Sequence, residues 1–156
     1  ISDRSLAAVY WSDASWGTNG EKEGWLSAAV VWQDPAHPTG WREVSYPLGH
    51  NVGDSADGEM FGLAAAMKLA KKRVEDGIPT RQVIVFTDAR WLLNDIADGK
   101  VWELGPDVPD LETKFAAEEL FDAARWLAEK GIWPRVEWIK GHGKSVGNKR
   151  ADKVAK

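Results

Sequence analysis

The chain has 156 residues, 44% hydrophobic and 28% charged, which is the mix of an ordinary globular domain and excludes a disordered or collagen-like chain. It has no cysteine, so disulfide scaffolds, thiolate zinc sites and cysteine nucleophiles are excluded too. The net charge is −4, and no apolar run approaches the ~18 residues that a membrane-spanning helix needs.

In chain order, the apolar run Leu6-Ala7-Ala8-Val9-Tyr10-Trp11 ends at Asp13 and predicts a buried strand. Gly17-Thr18-Asn19-Gly20 marks a turn, and Gly24 to Gln33, rich in Val and Trp, predicts a second strand. Pro35, Pro38 and Gly40 punctuate a loop before a third strand from about Trp41 to Leu48. Connections this short suit an antiparallel meander. Asp54 or Ser55 can cap a helix running to about Asp76, with Gly77 and Pro79 stopping it. Met60, Leu63, Ala64, Met67, Lys71 and Val74 give that helix a stripe that is apolar except at Lys71. Gln82 to Thr87 reads as a central strand, Ala89 to Ala97 as a short helix, and Asp110 to Lys130 as a long one. A fifth strand is expected over Arg135 to Lys140, then a glycine-rich loop from Gly141 to Gly147 and a helix opening near Asn148.

This order implies an α/β fold with a five-stranded mixed sheet, an antiparallel meander followed by helix-linked strands, flanked by helices. No repeat or linker divides the chain, so residues 1–156 are expected to form a single domain. The missing initiator Met and the stop at Lys156, inside an expected helix, predict a domain cut from a longer chain. The start, Ile1-Ser2-Asp3-Arg4, lacks the features of a signal peptide, and an intracellular setting is expected.

Charge is unevenly placed. Residues 135–156 carry Arg135, Lys140, Lys144, Lys149, Arg150, Lys153 and Lys156 against Glu137 and Asp152, so this end is +5 and the remainder −9. A basic end on an acidic body fits a nucleic-acid contact or an ordinary solvated charge run. Ten tryptophans are many. Because a large aromatic buries roughly 150–250 Å², most are expected to be core or structural residues.

Three acids sit where elements end or begin: Asp13 after the first strand, Asp88 after the fourth, and Glu59 early in the first long helix. If strands one and four are neighbours, both aspartates emerge at one sheet edge, where ligand sites form in helix-covered sheets. A fourth acid, Asp152, lies on the last helix. Spacing alone favours a turn or capping residue over a ligand for each of them. Carboxylates converging on one spot repel one another and need cations, and oxygen-only ligands favour magnesium or manganese over zinc. Two such ions ~3.5–4 Å apart can activate water and stabilise the leaving oxygen in phosphodiester cleavage.

The segment Val136-Glu137-Trp138-Ile139-Lys140-Gly141-His142, followed by Gly147-Asn148-Lys149-Arg150-Ala151-Asp152, resembles the C-terminal signature of type 1 ribonuclease H. Tyr10-Trp11-Ser12-Asp13-Ala14-Ser15, Gly58-Glu59-Met60 and Phe86-Thr87-Asp88 match that family's other motifs in its order. The resemblance implies a ribonuclease H-like fold and cleavage of the RNA strand of RNA–DNA hybrids. By position, Asp13, Glu59, Asp88 and Asp152 would hold two Mg²⁺ ions, with Mn²⁺ as a substitute. His142 would aid proton transfer or product release, a task suited to an imidazole with an ordinary pKa near 6.5.

Substrate contacts would come from Ala14, Ser15, Arg90, Trp91, Asn148 and Lys149. His37 and His50 match nothing in the family pattern and read as ordinary loop residues. Ala14 stands where the family usually has Gly, which is expected to alter close backbone approach to the RNA. Between Asp98 and Glu112, Lys100 is the only base among five acids. The basic protrusion that grips DNA in some relatives is therefore missing, and weak hybrid affinity is expected for the isolated domain. The partners implied are the hybrid and the rest of a longer polypeptide such as a reverse transcriptase, with no membrane. One rival is a non-cutting nucleic-acid-binding or scaffold domain of the same fold; the four intact acids count against it. Another is a transposase, integrase or resolvase, which would not carry the Gly-His loop together with Asn-x-x-Ala-Asp.

Overall fold

The computed structural model describes residues 6–17, 24–50, 55–89, 111–139 and 146–155. Its elements are β1 (Ala7–Trp16), β2 (Trp25–Gln33), β3 (Trp41–His50), α1 (Ser55–Glu75), β4 (Gln82–Thr87), α2 (Leu111–Glu129), β5 (Trp133–Trp138) and α3 (Val146–Ala155). The strands form one open sheet in the order β3-β2-β1-β4-β5. The meander β1–β2–β3 is antiparallel, and β4 and β5 join it in parallel. The expected mixed sheet is therefore the observed one. No helix among the described residues is long and apolar enough to cross a membrane. The short helix expected over 89–97 lies outside the described residues, apart from Ala89 itself.

Three strands differ from expectation in their bounds, and of these β3 runs on to His50, two residues past Leu48. β1 does not stop near Asp13 but continues to Trp16, because Asp13, Ala14, Ser15 and Trp16 pair with Ala29, Ala28, Ser27 and Leu26. Small polar residues carry no period-two signal there, and the ladder alone extends the strand. β5 starts two residues early, since the parallel register sets Trp133 and Pro134 beside Gln82 and Val83. Pro134 is tolerated because β5 is an edge strand.

Both long helices end on glycine in the left-handed region. Gly77 (φ 82°) follows α1, with the Ile78 N–H donating to the Arg73 carbonyl and the Gly77 N–H to the Val74 carbonyl. Gly131 (φ 79°) ends α2 in the same way, through Ile132 to Leu127 and Gly131 to Ala128. This pairing satisfies carbonyls that a helix end otherwise leaves open.

Side chains alternate across the sheet, so each face has its own cover. On one face Ala8, Tyr10, Val30, Val83 and Val85 meet Met60, Leu63, Ala64, Met67 and Ala70 of α1 and Leu120, Ala123 and Leu127 of α2. Lys71, the polar break in the α1 stripe, places its ammonium 5.3 Å from the Trp126 ring of α2. On the other face α3 buries Gly147, Asn148, Ala151 and Ala155. There the Ser27 hydroxyl donates to the Ala155 carbonyl, and the Arg150 guanidinium lies 5.3 Å from the Trp41 ring.

Trp11, Trp32, Trp41 and Trp126 are half-buried, Trp32 and Trp126 packing against the core, and Trp16, Trp25 and Trp133 are exposed. The helix–sheet seam itself is filled by alanines with Val, Leu and Met.

Candidate metal centre

The parallel pairing of β1 and β4 sets Trp11 beside Phe86, with their rings stacked 5.7 Å apart. Two residues further along each chain come Asp13 and Asp88, at the same phase of the pleat. Asp13 lies inside β1 opposite Ala29, whereas Asp88 is the first residue past β4. Thr87, fully buried, fixes that exit: its carbonyl accepts from the Ile139 N–H at 2.8 Å and its hydroxyl from the Ala89 N–H at 3.1 Å.

Glu59 arrives from the second turn of α1, and two glycines let that turn sit against the sheet. A Cβ on Gly58 would come to 2.9 Å from both the Ala14 Cβ and the Leu26 Cδ1, and one on Gly62 to 3.4 Å from the Ser12 Cβ. The result is a cluster in which one carboxylate oxygen each from Asp13, Glu59 and Asp88 lies within 4.8 Å of the others.

Asp13 and Glu59 are buried, at 4% and 8% exposure. Burial, and next the charge of Asp88, push the Asp13 carboxyl up to about 7; the Ala14 N–H, 2.9 Å from Oδ1, and a hydrogen bond with Glu59 oppose this, and Asp152 adds to it. Burial, followed by the charges of Asp13 and Asp88, pushes Glu59 up to about 9. Both shifts run the same way, so the folded pair keeps protons that free carboxylates would lose. The Glu59 Oε2 is buried with no hydrogen-bond partner, an arrangement that disfavours folding unless something binds there. All-oxygen donors, crowded negative charge and a waiting carboxylate oxygen fit a hard divalent cation.

The other expected site residues divide by location. Asp152 lies on α3, half-buried, near enough for its charge to act on Asp13. Asn148, one turn earlier on the same side of α3, is buried, and Lys149 is exposed. Ala14 and Ser15 are half-buried on β1. The Ala14 methyl faces Gly58 of α1, so the extra carbon packs against the helix rather than lying on the Asp13 side of the strand. Arg90, Trp91 and His142 lie outside the described residues, as do Lys140 and Lys144. Sequence reasoning missed the part played by Gly147, which brings α3 against Trp11.

The RNase H family model matches residues 6–156. Among solved structures, the chain is similar to the protease-reverse transcriptase of prototype foamy virus (TM-score 0.67, 20% identity), a match covering 96% of this chain and 20% of that one. It is also similar to the RNase H domain of that virus in solution (TM-score 0.63, 19% identity), with 94% and 90% covered. A third similar structure is LC9-RNase H1, a type 1 RNase H with the type 2 active-site motif (TM-score 0.58, 18% identity), with 96% and 70% covered. The chain thus spans about a fifth of the viral protease-reverse transcriptase chain and most of the separate RNase H domain. No curated protein matches the sequence.

Proposed function

The chain belongs to the RNase H family, and from that premise we propose that it is a metal-dependent endoribonuclease hydrolysing the RNA strand of RNA–DNA hybrids. The observation that carries the reading is the buried triad Asp13, Glu59 and Asp88, with the Glu59 oxygen left without a hydrogen-bond partner. With Asp152 as the fourth carboxylate, these residues would hold two Mg²⁺ ions, or Mn²⁺ in their place. When bound, the ions supply neutralising charge and activation of the attacking water. Asp13 and Glu59, whose carboxyls hold protons in the metal-free protein, would serve as ligands in their ionised form, and Asp88 and Asp152 would complete the oxygen donors. His142 takes part in proton transfer or product release. Asn148, Ser15, Arg90 and Trp91 contact the hybrid, the Ala14 backbone borders it, and Lys149 meets phosphate, a contact that positions without reading sequence. In this reading the domain works within a longer intracellular polypeptide of the reverse-transcriptase kind.

The test is cleavage of a labelled RNA–DNA hybrid in Mg²⁺, beside single-stranded RNA, double-stranded RNA and the Asp88→Asn variant. Cutting confined to the hybrid and lost in the variant is the expected result. A hybrid that binds yet stays intact in both Mg²⁺ and Mn²⁺ would overturn the reading in favour of a non-cutting domain.

A further inference from the structure

Trp25 opens β2 and is 53% exposed. Its neighbour Leu26 turns inward toward Gly58 of α1, so Trp25 projects on the opposite face, the one Ser27 shares with the end of α3. That is also the face of Asp13, because Asp13 pairs with Ala29 and Ser15 with Ser27 along the same two strands. Four residues separate Trp25 from Ala29, about 13 Å at ~3.3 Å per residue.

An irregularity in the sheet completes the feature. Ser27 pairs with Pro47 but Leu26 pairs with Gly49, so β3 carries one extra residue, Leu48, and Gly49 takes a φ of 127° that glycine alone adopts easily. A regular ladder would have set Gly49 opposite Trp25. The bulge sets His50 there instead, and the two rings lie 5.0 Å apart at 38°. His50 is thus a strand residue held against an exposed indole, not the loop residue its sequence suggested. Bulges that re-aim a side chain are frequent beside active sites. Lys149 and Lys153 are exposed on α3, the helix that covers this face next to both features.

We propose that Trp25 and His50 form a packing platform for the hybrid duplex, about 13 Å along the sheet from the strand position of Asp13. The platform rests on the hybrid-nuclease reading above. A helix of A-like form offers a wide, shallow minor groove in which sugars are accessible. The exposed indole face, backed by the His50 ring, packs on such sugars without demanding a sequence, while the α3 lysines lie on phosphates.

The experiment measures hybrid affinity at low salt in EDTA, where nothing is cut, and kcat and KM in Mg²⁺. Wild type is compared with Trp25→Ala, Trp25→Phe, His50→Ala and Trp133→Ala. Trp133, 69% exposed where β5 begins, lies at the end of the sheet away from Asp88 and serves as the matched control. Trp25→Ala and His50→Ala are expected to weaken binding and raise KM about five- to tenfold with kcat nearly unchanged, while Trp25→Phe stays close to wild type and Trp133→Ala changes nothing. Active enzyme with normal affinity and KM in Trp25→Ala would overturn the platform and leave the nuclease reading standing. A wild type that binds but does not cut, with binding lost in Trp25→Ala, would overturn the nuclease reading and keep the platform. A wild type that neither binds nor cuts overturns both.

Discussion

Gly147 of α3 lies against the indole of Trp11 on β1 with no space between them: a Cβ on Gly147 would overlap Cδ2, Cε2 and Cγ of the ring. Trp11 cannot retreat easily, because Trp41 and Phe86 flank it with ring centroids at 5.5 and 5.7 Å. This contact seats the helix that carries Asp152 next to the strand that carries Asp13.

Gly147→Ala therefore acts on both stability and chemistry. Overpacking of this kind costs about 1–3 kcal/mol, which lowers the melting temperature of a domain this size by roughly 2–10 °C. Because α3 must shift, cleavage at 25 °C is expected to fall further than the unfolded fraction explains. Thermal melts and initial rates on the same preparation check this.

The raised carboxyls give the metal-free protein a definite pH response. Glu59 binds a proton up to about pH 9 when folded but only up to about 4.5 when unfolded; for Asp13 the limits are about 7 and 3.8. Over that window the folded state holds the extra protons, so stability is greatest at the acid side and declines as pH rises toward 9. Melting in EDTA from pH 5 to 9 should show the decline, and Glu59→Gln should flatten it.

Mg²⁺ is expected to oppose the same decline, since an ion that binds only the folded form adds stability by mass action, about 2.7 kcal/mol at a hundred times its Kd. Melts with and without Mg²⁺ at pH 8 measure the gain. Asp13→Asn, which replaces one of the three convergent carboxylates by a neutral amide, should abolish most of it.

Asp13→Asn and Asp88→Asn should reduce cleavage below detection while the circular dichroism spectrum stays that of wild type. His142→Ala should leave measurable turnover, slowed by about 10²-fold as expected for loss of a proton-transfer group. Full activity in either aspartate variant would remove that residue from the site.

Much of this architecture could be read from residues alone, for local reasons. Apolar runs, the α1 stripe and the glycines after the helices carry their own signals, and the strand and helix order follows from them. What escaped notice depends on partners distant in sequence. The second half of β1 is a strand only because β2 lies beside it, and β5 begins at Trp133 only because β4 sets its register. The convergence of Asp13, Glu59 and Asp88 needs the β1–β4 pairing and the close seat of α1 at Gly58; no spacing along the chain reveals either. The His50–Trp25 contact depends on a one-residue bulge, which composition does not announce.

The central place of β1, antiparallel on one side and parallel on the other, also has a kinetic consequence. Short turns close β1 onto β2 and β2 onto β3, whereas bringing Gln82 beside Ala7 closes a loop through the whole of α1. Long closures are slower to form than short ones. A chain caught before that closure has Asp13 on a partial sheet with neither Asp88 nor a seated Glu59 near it. A copy in which β1 and β4 have not paired therefore lacks the convergent carboxylates, however complete its meander.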